Sequence, residues 1–400
     1  MQRSFSLGPG LLVTAAFVGP GTVATASSAG AGFGYSLIWA LLFSVAATMA
    51  LQEMSVRSAI VTGDGLAATM RRALGGGLFG RAALLGVILA IGIGNAAYES
   101  GNIAGAAVAL ASVSPVPAPV WAMTVGACAA GLLFVPAYAQ LEKVLVGLVM
   151  AMSAVFLVCA LALAPAWDEV LRGLKPTVPR GSLVTIIALI GTTVVPYNLF
   201  LQANAARDHW RGEEDRGRAL YSARMDTLVS VALGGAITLS ILSIAAISAT
   251  GSSQAPSLEA LALQLEPVLG PSGRYLFASG LAAAGITSAV TAPLAAAYAV
   301  CGALGLDDSL RGPAFRRIAL AVVAIGSAFA VLGSRPLSLI IIAQAANGLM
   351  LPVIAAVLLW LMNQRSYLGS AVNGWRSNGI GTFVVLVTCT LGAYKVFGLF

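Results

Sequence analysis

Apolar residues run along this chain in long blocks, without the alternating or one-sided spacing of a soluble strand or helix. A helix needs about 20 consecutive apolar residues to cross about 30 Å of hydrocarbon. Eleven blocks meet that length, at 9–31, 35–60, 82–111, 119–138, 143–165, 183–205, 225–249, 274–302, 316–333, 337–362 and 378–398. The pattern predicts an all-α integral membrane protein of eleven spans. The longest polar insert, 207–224, reads as a solvated connection. Pro-rich 114–119 predicts a tight outer turn, and 250–271 a short surface helix.

Two blocks are interrupted. Val18-Gly19-Pro20-Gly21-Thr22 breaks the first, and Val195-Pro196-Tyr197-Asn198 breaks the sixth. Proline inside a helix removes one backbone hydrogen bond and clashes with the preceding turn. Residues 12–20 resemble 183–191, and a proline break follows in each. The first span is expected to run outward and the sixth inward. Spans 1–5 (about 9–165) and 6–10 (about 183–362) then form an inverted repeat, with 378–398 as an extra helix. The whole chain, 1–400, reads as one transmembrane domain. Paired interruptions in corresponding halves point to the binding site of a secondary transporter, at the midplane between two discontinuous helices.

Composition narrows the class. The chain is 58% hydrophobic and 9% charged, with mean hydropathy +0.91. An average soluble protein is about 25% charged, so a soluble enzyme is excluded. A net charge of +7 would suit a nucleic-acid partner, but the charges lie in loops. With the N-terminus in the cytoplasm, most of the 22 Lys and Arg fall inside; Arg172, Lys175, Arg180, Arg274, Arg335 and Lys395 fall outside. That follows the positive-inside rule and explains the basicity without nucleic acid. The expected location is a bacterial inner membrane, the expected partners are lipid and a small solute, and the expected state is a monomer. The first span is too long for a signal-peptide core of about 7–15 residues. Cys128, Cys159, Cys301 and Cys389 are far apart, and the only histidine, His209, lies in the polar insert. No cofactor and no catalytic set are expected.

The breaks carry a family resemblance, as do Leu7-Gly8-Pro9-Gly10, Ala31-Gly32-Phe33-Gly34-Tyr35, Gln52 through Thr62-Gly63, Ala284-Gly285-Ile286-Thr287-Ser288 and Ala343-Gln344 through Leu351-Pro352. Together they resemble the Nramp family of proton-coupled divalent metal transporters, in register over nearly the whole chain. The resemblance implies an inverted five-plus-five repeat like that of the amino-acid–sodium symporters. It also implies a metal site built from an Asp-Pro-Gly-Asn motif and a Met-Pro-His motif. Here the aspartate position is Gly19, the asparagine position Thr22, the methionine position Val195 and the histidine position Tyr197. Thr192 stands where the family has an alanine carbonyl ligand. Magnesium-selective relatives lose the methionine and retain the aspartate; this chain has neither. A dication needs carboxylate, imidazole or sulfur ligands, so the expected site holds no divalent metal.

Without the aspartate, what remains at the breaks are two helix N-termini, which attract negative charge. Gly19, Pro20, Gly21, Thr22, Thr192, Thr193, Val195, Pro196, Tyr197 and Asn198 form the expected substrate site, with further hydroxyls from Thr25 and Ser27. No Lys or Arg lies in either broken helix, which favours a small anion over phosphate. Nramp-related bicarbonate transporters share the loss of the aspartate, so bicarbonate import is the expected function. A manganese or magnesium transporter of the Nramp type is the alternative.

Import of an anion against a negative-inside potential needs a driving ion, since one charge costs about 2.3 kcal/mol per 100 mV. Ala284, Thr287 and Ser288 share a helical face, and in the amino-acid–sodium symporters this spacing forms a sodium site. A sodium site and plain packing both remain open there. Glu99 aligns with the first member of an acidic pair used for proton transfer in Nramp proteins, and Asn102 replaces the second. Gln202 replaces a histidine normal for the family. Glu99 is therefore a coupling group or a partner of Asn95, Tyr98 or Asn102. Glu53 and Arg57 are spaced to pair along helix 2. Gln344 and Asn347 either line the cavity or bond between helices.

Overall fold

The computed structural model describes residues 18–133, 138–163, 167–213, 215–249, 270–333 and 336–396. Among these, all regular structure is helical. In chain order the helices are α1 (Pro20–Phe33), α2 (Ile38–Thr62), α3 (Leu66–Leu74), α4 (Leu78–Ala111), α5 (Ala118–Leu132), α6 (Tyr138–Ala162), α7 (Trp167–Arg172) and α8 (Leu183–Thr193). They continue with α9 (Pro196–His209), α10 (Arg216–Ala249), α11 (Ser272–Leu304), α12 (Pro313–Leu332), α13 (Pro336–Leu361), α14 (Arg365–Leu368) and α15 (Trp375–Val396).

Nine described helical stretches are long and apolar enough to cross a membrane. One of them, Pro20–Thr62, holds the first two predicted spans, and the shorter α5 supplies the fourth. Between α1 and α2 lies a 3-10 turn, Gly34–Leu37. Gly34 enters it at φ 55°, ψ −133°, a conformation that an L side chain would strain.

Several boundaries differ from the sequence reading. The insert 207–224 is not a solvated loop throughout. Helix α9 runs to His209 and α10 starts at Arg216, leaving only the short link between them. The Asp215 carboxylate accepts the Arg218 backbone N–H at 3.0 Å, an N-terminal cap that lets the polar segment join the helix. The sixth span, by contrast, is two helices, α8 and α9, as the break at Val195-Pro196 predicts. The expected starts at 9–17, the repeat at 12–17, the Leu7–Gly10 motif and most of the surface helix at 250–271 lie outside the described residues.

The broken helices sit at the centre of the bundle. In the stretch Leu183–His209 the most apolar window is 89% buried, against 17% for the last span. Close approach relies on small residues, as membrane helices require. A Cβ at Gly105 of α4 would collide with the Pro20 ring, and one at Gly285 of α11 would meet Ala106 and the Asn102 carbonyl. The start of α1 is thereby seated against α4, and α4 against α11.

Candidate functional site

Both prolines stand at helix starts rather than helix interiors. Gly19 is the extended N-cap of α1 (φ −89°, ψ 178°) and Pro20 opens the helix. Val194 (φ −93°, ψ 70°) and the extended Val195 (φ −76°, ψ 117°) form a non-helical link, and Pro196 opens α9. Proline at the first helical turn has no N–H to waste and a preset φ. The sequence thus encodes two helix beginnings at depth, where interior prolines would have encoded kinks.

The breaks touch each other. The Thr22 and Thr192 hydroxyls lie 3.0 Å apart, and either can be the donor. Thr193 is held differently: its hydroxyl donates to the Leu189 carbonyl at 2.9 Å, and its carbonyl accepts from Thr48 at 3.2 Å. Gln344 of α13 sits between the two broken helices. A Cβ at Gly21 would run into its side-chain amide, and one at Gly191 into its backbone carbonyl. Val18 and Val195 supply apolar wall, 1% and 2% exposed. The Tyr197 ring meets Tyr98 edge-on at 5.2 Å, tying α9 to α4.

Buried polar side chains gather here without partners. Thr25 Oγ1, both polar atoms of the Asn198 amide and both of the Gln344 amide make no hydrogen bond within the chain. Leaving such a group unmet costs about 1–3 kcal/mol, and more than nine in ten buried groups are normally paired. Thr25 and Asn198 follow the two helix starts on α1 and α9, and Gln344 lies against Gly21. No charged side chain belongs to this cluster, and no group of three or more His, Cys, Asp or Glu is placed to hold a metal among the described residues.

The other candidate residues divide. Ala284, Thr287 and Ser288 are all buried on α11. The Thr287 hydroxyl donates to the Ala283 carbonyl of its own helix at 2.8 Å, while Ser288 Oγ has no hydrogen-bond partner. Glu99 is fully buried on α4 and accepts from Asn102 Nδ2 at 3.4 Å; its other oxygen is unmet. Asn95 donates instead to the Ala292 carbonyl at 3.3 Å. Gln202 donates to Thr227 at 3.0 Å, an interhelical bond between α9 and α10. Asn347 faces Gly94 of α4. Glu53 and Arg57 do pair, at 3.0 Å. Glu53 also accepts from Arg224 at 2.8 Å, and Arg57 donates to the Ala371 carbonyl and Asn373 Oδ1, each at 2.7 Å.

Sequence reasoning missed Thr48 and Ser55. Their hydroxyls bond the Thr193 and Leu199 carbonyls on either side of the second break, at 3.2 and 2.5 Å. The signal was present: Ser44, Thr48, Gln52 and Ser55 recur every three or four residues in an otherwise apolar helix. The stripe faces the broken span: Thr193, at the end of α8, has a carbonyl without a helical partner, while Leu199 lies inside α9.

A multi-pass helical membrane protein in which the start of α1 meets a span split into α8 and α9 deep in the bundle has the architecture of a secondary transporter. Residues 10–398 match the Nramp family, described as natural resistance-associated macrophage protein-like, and the chain belongs to that family. It is 31% identical over 388 residues to the divalent metal cation transporter MntH of Ralstonia nicotianae, covering 92% of this chain and 85% of that one. A crystal structure of the Eremococcus coleocola manganese transporter, in complex with an aromatic bis-isothiourea substituted compound, superposes with a TM-score of 0.78. It is 23% identical and spans 96% of this chain and 84% of its own. MhsT in complex with L-phenylalanine gives 0.62 at 13% identity, with 96% and 98% coverage. These neighbours carry the fold: an all-helical inverted repeat of the class read from the paired breaks. The relatives are transporters, not enzymes.

Proposed function

We propose that this Nramp-family chain is a secondary active transporter that takes a small anion, bicarbonate first, at the paired breaks of α1 and α8–α9. One observation carries the reading. The facing helix starts carry unmet neutral groups nearby at Thr25, Asn198 and Gln344, and the resemblance puts Gly19 where the family has its metal-binding aspartate. Two helix N-termini with no carboxylate between them favour a guest of negative charge. Bicarbonate has one charge, one donor and several acceptors, which suits hydroxyl and amide partners. The N-terminus is taken to face the cytoplasm of a bacterial inner membrane.

Coupling to sodium belongs to the same proposal. Ser288 offers an unmet buried oxygen on α11, beside Ala284 and Thr287 on one face. A sodium gradient supplies the work that anion entry requires.

A second reading has its own support. The curated relatives are named divalent metal cation transporters, which favours manganese or magnesium for this chain too. Its ligands would be hydroxyl, amide and carbonyl oxygens such as those of Thr25, Asn198 and Gln344, with Glu99 as the group that couples protons.

Uptake into proteoliposomes separates the two. The anion reading expects labelled bicarbonate uptake above empty vesicles, dependent on a sodium gradient, and no saturable manganese or magnesium uptake. Metal uptake without bicarbonate uptake would establish the second reading. Equal rates with choline in place of sodium would remove the coupling proposal alone.

A further inference from the structure

A small basic cavity of about 210 Å³ lies at the end of the bundle opposite the first span's outer turn, away from the breaks. It opens between the end of α2 at Gly63, the end of α9 and the start of α10. Arg207, Arg211 and Arg216 line it, with Trp210 as an aromatic wall and Glu213 as the acid in the lining.

The three arginines are not equally committed. Arg207 Nε and Nη2 donate to Asp208 at 2.9 and 3.4 Å, and Nη1 stands 3.6 Å from Asp308. Its fork is therefore occupied by chain carboxylates. Arg211 comes only within 3.8 Å of Asp208 and its side chain is 71% exposed. Arg216 makes no ion pair among the described residues. Two guanidinium forks thus border one cavity with donors to spare, a geometry suited to the oxygens of a phosphate group.

Chemistry and depth narrow the guest. The cavity has far more than the about 10–15 Å³ of such space that one water needs, and so has room for a phosphate with attached atoms. The cavity lies where spanning helices end, and tryptophan is enriched at that level of a bilayer. Basic pockets between membrane helices on the cytoplasmic side are a recurring form of anionic headgroup site. We propose that this cavity binds a single phosphate group through Arg211 and Arg216. A bound phosphate would bridge α9, the second half of the broken sixth span, to α10. The group can come from a phospholipid headgroup or from a soluble phosphate.

The full chain, purified in a phosphate-free detergent, is titrated calorimetrically with short-chain phosphatidylglycerol and separately with inorganic phosphate. Saturable binding of the lipid alone identifies a headgroup site; saturable binding of inorganic phosphate identifies a soluble ligand. In either arm the double variant Arg211→Ala/Arg216→Ala should bind roughly tenfold more weakly or worse. Arg376→Ala, which removes an exposed guanidinium stacked on Trp375, should bind like the wild type. Absence of binding in both arms overturns the proposal. So does unchanged binding in the double variant, or an equal loss in Arg376→Ala, which would mean diffuse charge attraction rather than a site. Unaltered thermal unfolding of both variants in ligand-free detergent confirms that the comparison is made on folded protein.

Discussion

Two polar regions of this protein are built on opposite rules. At the breaks, Thr25, Asn198 and Gln344 are buried, neutral and unmet. At the far end of α2, Glu53, Arg57 and Arg224 are charged and paired with one another, with Arg57 also held by Asn373 and the Ala371 carbonyl. Taking an ion out of water costs several kcal/mol even after relaxation. At the end of α2, built-in partners offset that cost; at the breaks, the partnerless groups are neutral and cost less to desolvate. The second rule suits a binding site; the first suits a fastening between α2, α10 and the connection before α15.

The largest expected effect comes from importing the charged rule into the neutral region. Gly19→Asp fits the extended N-cap conformation (φ −89°, ψ 178°), so the helix start survives. Its carboxylate should cut bicarbonate uptake about 100-fold, equivalent to ~2.7 kcal/mol, the scale for a charge placed in the membrane interior. Uptake within twofold of wild type would show that the anion does not pass between these helix starts. The converse change, removing a charge from the fastening, is next. Arg57→Ala leaves Asn373, Ala371 and part of Glu53 without a donor. A loss of about 2–3 kcal/mol is expected, below the full value for a buried pair because Glu53 keeps Arg224 and some solvent. Thermal unfolding in detergent reads this, with transport per folded molecule little changed.

Thr192→Val removes one hydroxyl of the pair joining the breaks and keeps the shape. A cost of about 1 kcal/mol in apparent affinity, roughly fivefold in KM, is expected. Adding Thr22→Val should cost less than its single effect, because the two share one bond; strict additivity would mean that they act separately. The smallest effect marks the baseline. Arg172 pairs with Asp168 on the exposed surface of α7, and Arg172→Ala should change stability by under about 0.5 kcal/mol.

The spans were legible because each needs only length and apolar content, and the breaks because Gly19-Pro20-Gly21 and Val195-Pro196 contradict their surroundings. The helix N-termini expected at both breaks are there: Pro20 and Pro196 are each a first helical residue with an extended cap before it. The start of α10 was misplaced because charge was read as loop, although Arg216 and Arg218 extend a helix readily once Asp215 caps it. Gln344 was legible as polar but not as central. Its position between Gly21 and Gly191 depends on three helices separated by more than a hundred residues, and no local pattern encodes that.

The hydroxyl pair of Thr22 and Thr192 has no fixed polarity: each oxygen can give a proton or receive one. A lining of this kind is amphoteric. It can turn hydrogens toward one visitor and lone pairs toward another by rotating a C–O bond. Under the proposed anion function the lining would not set the sign of the cargo; the missing charge at position 19 would, and that can change without rebuilding the scaffold.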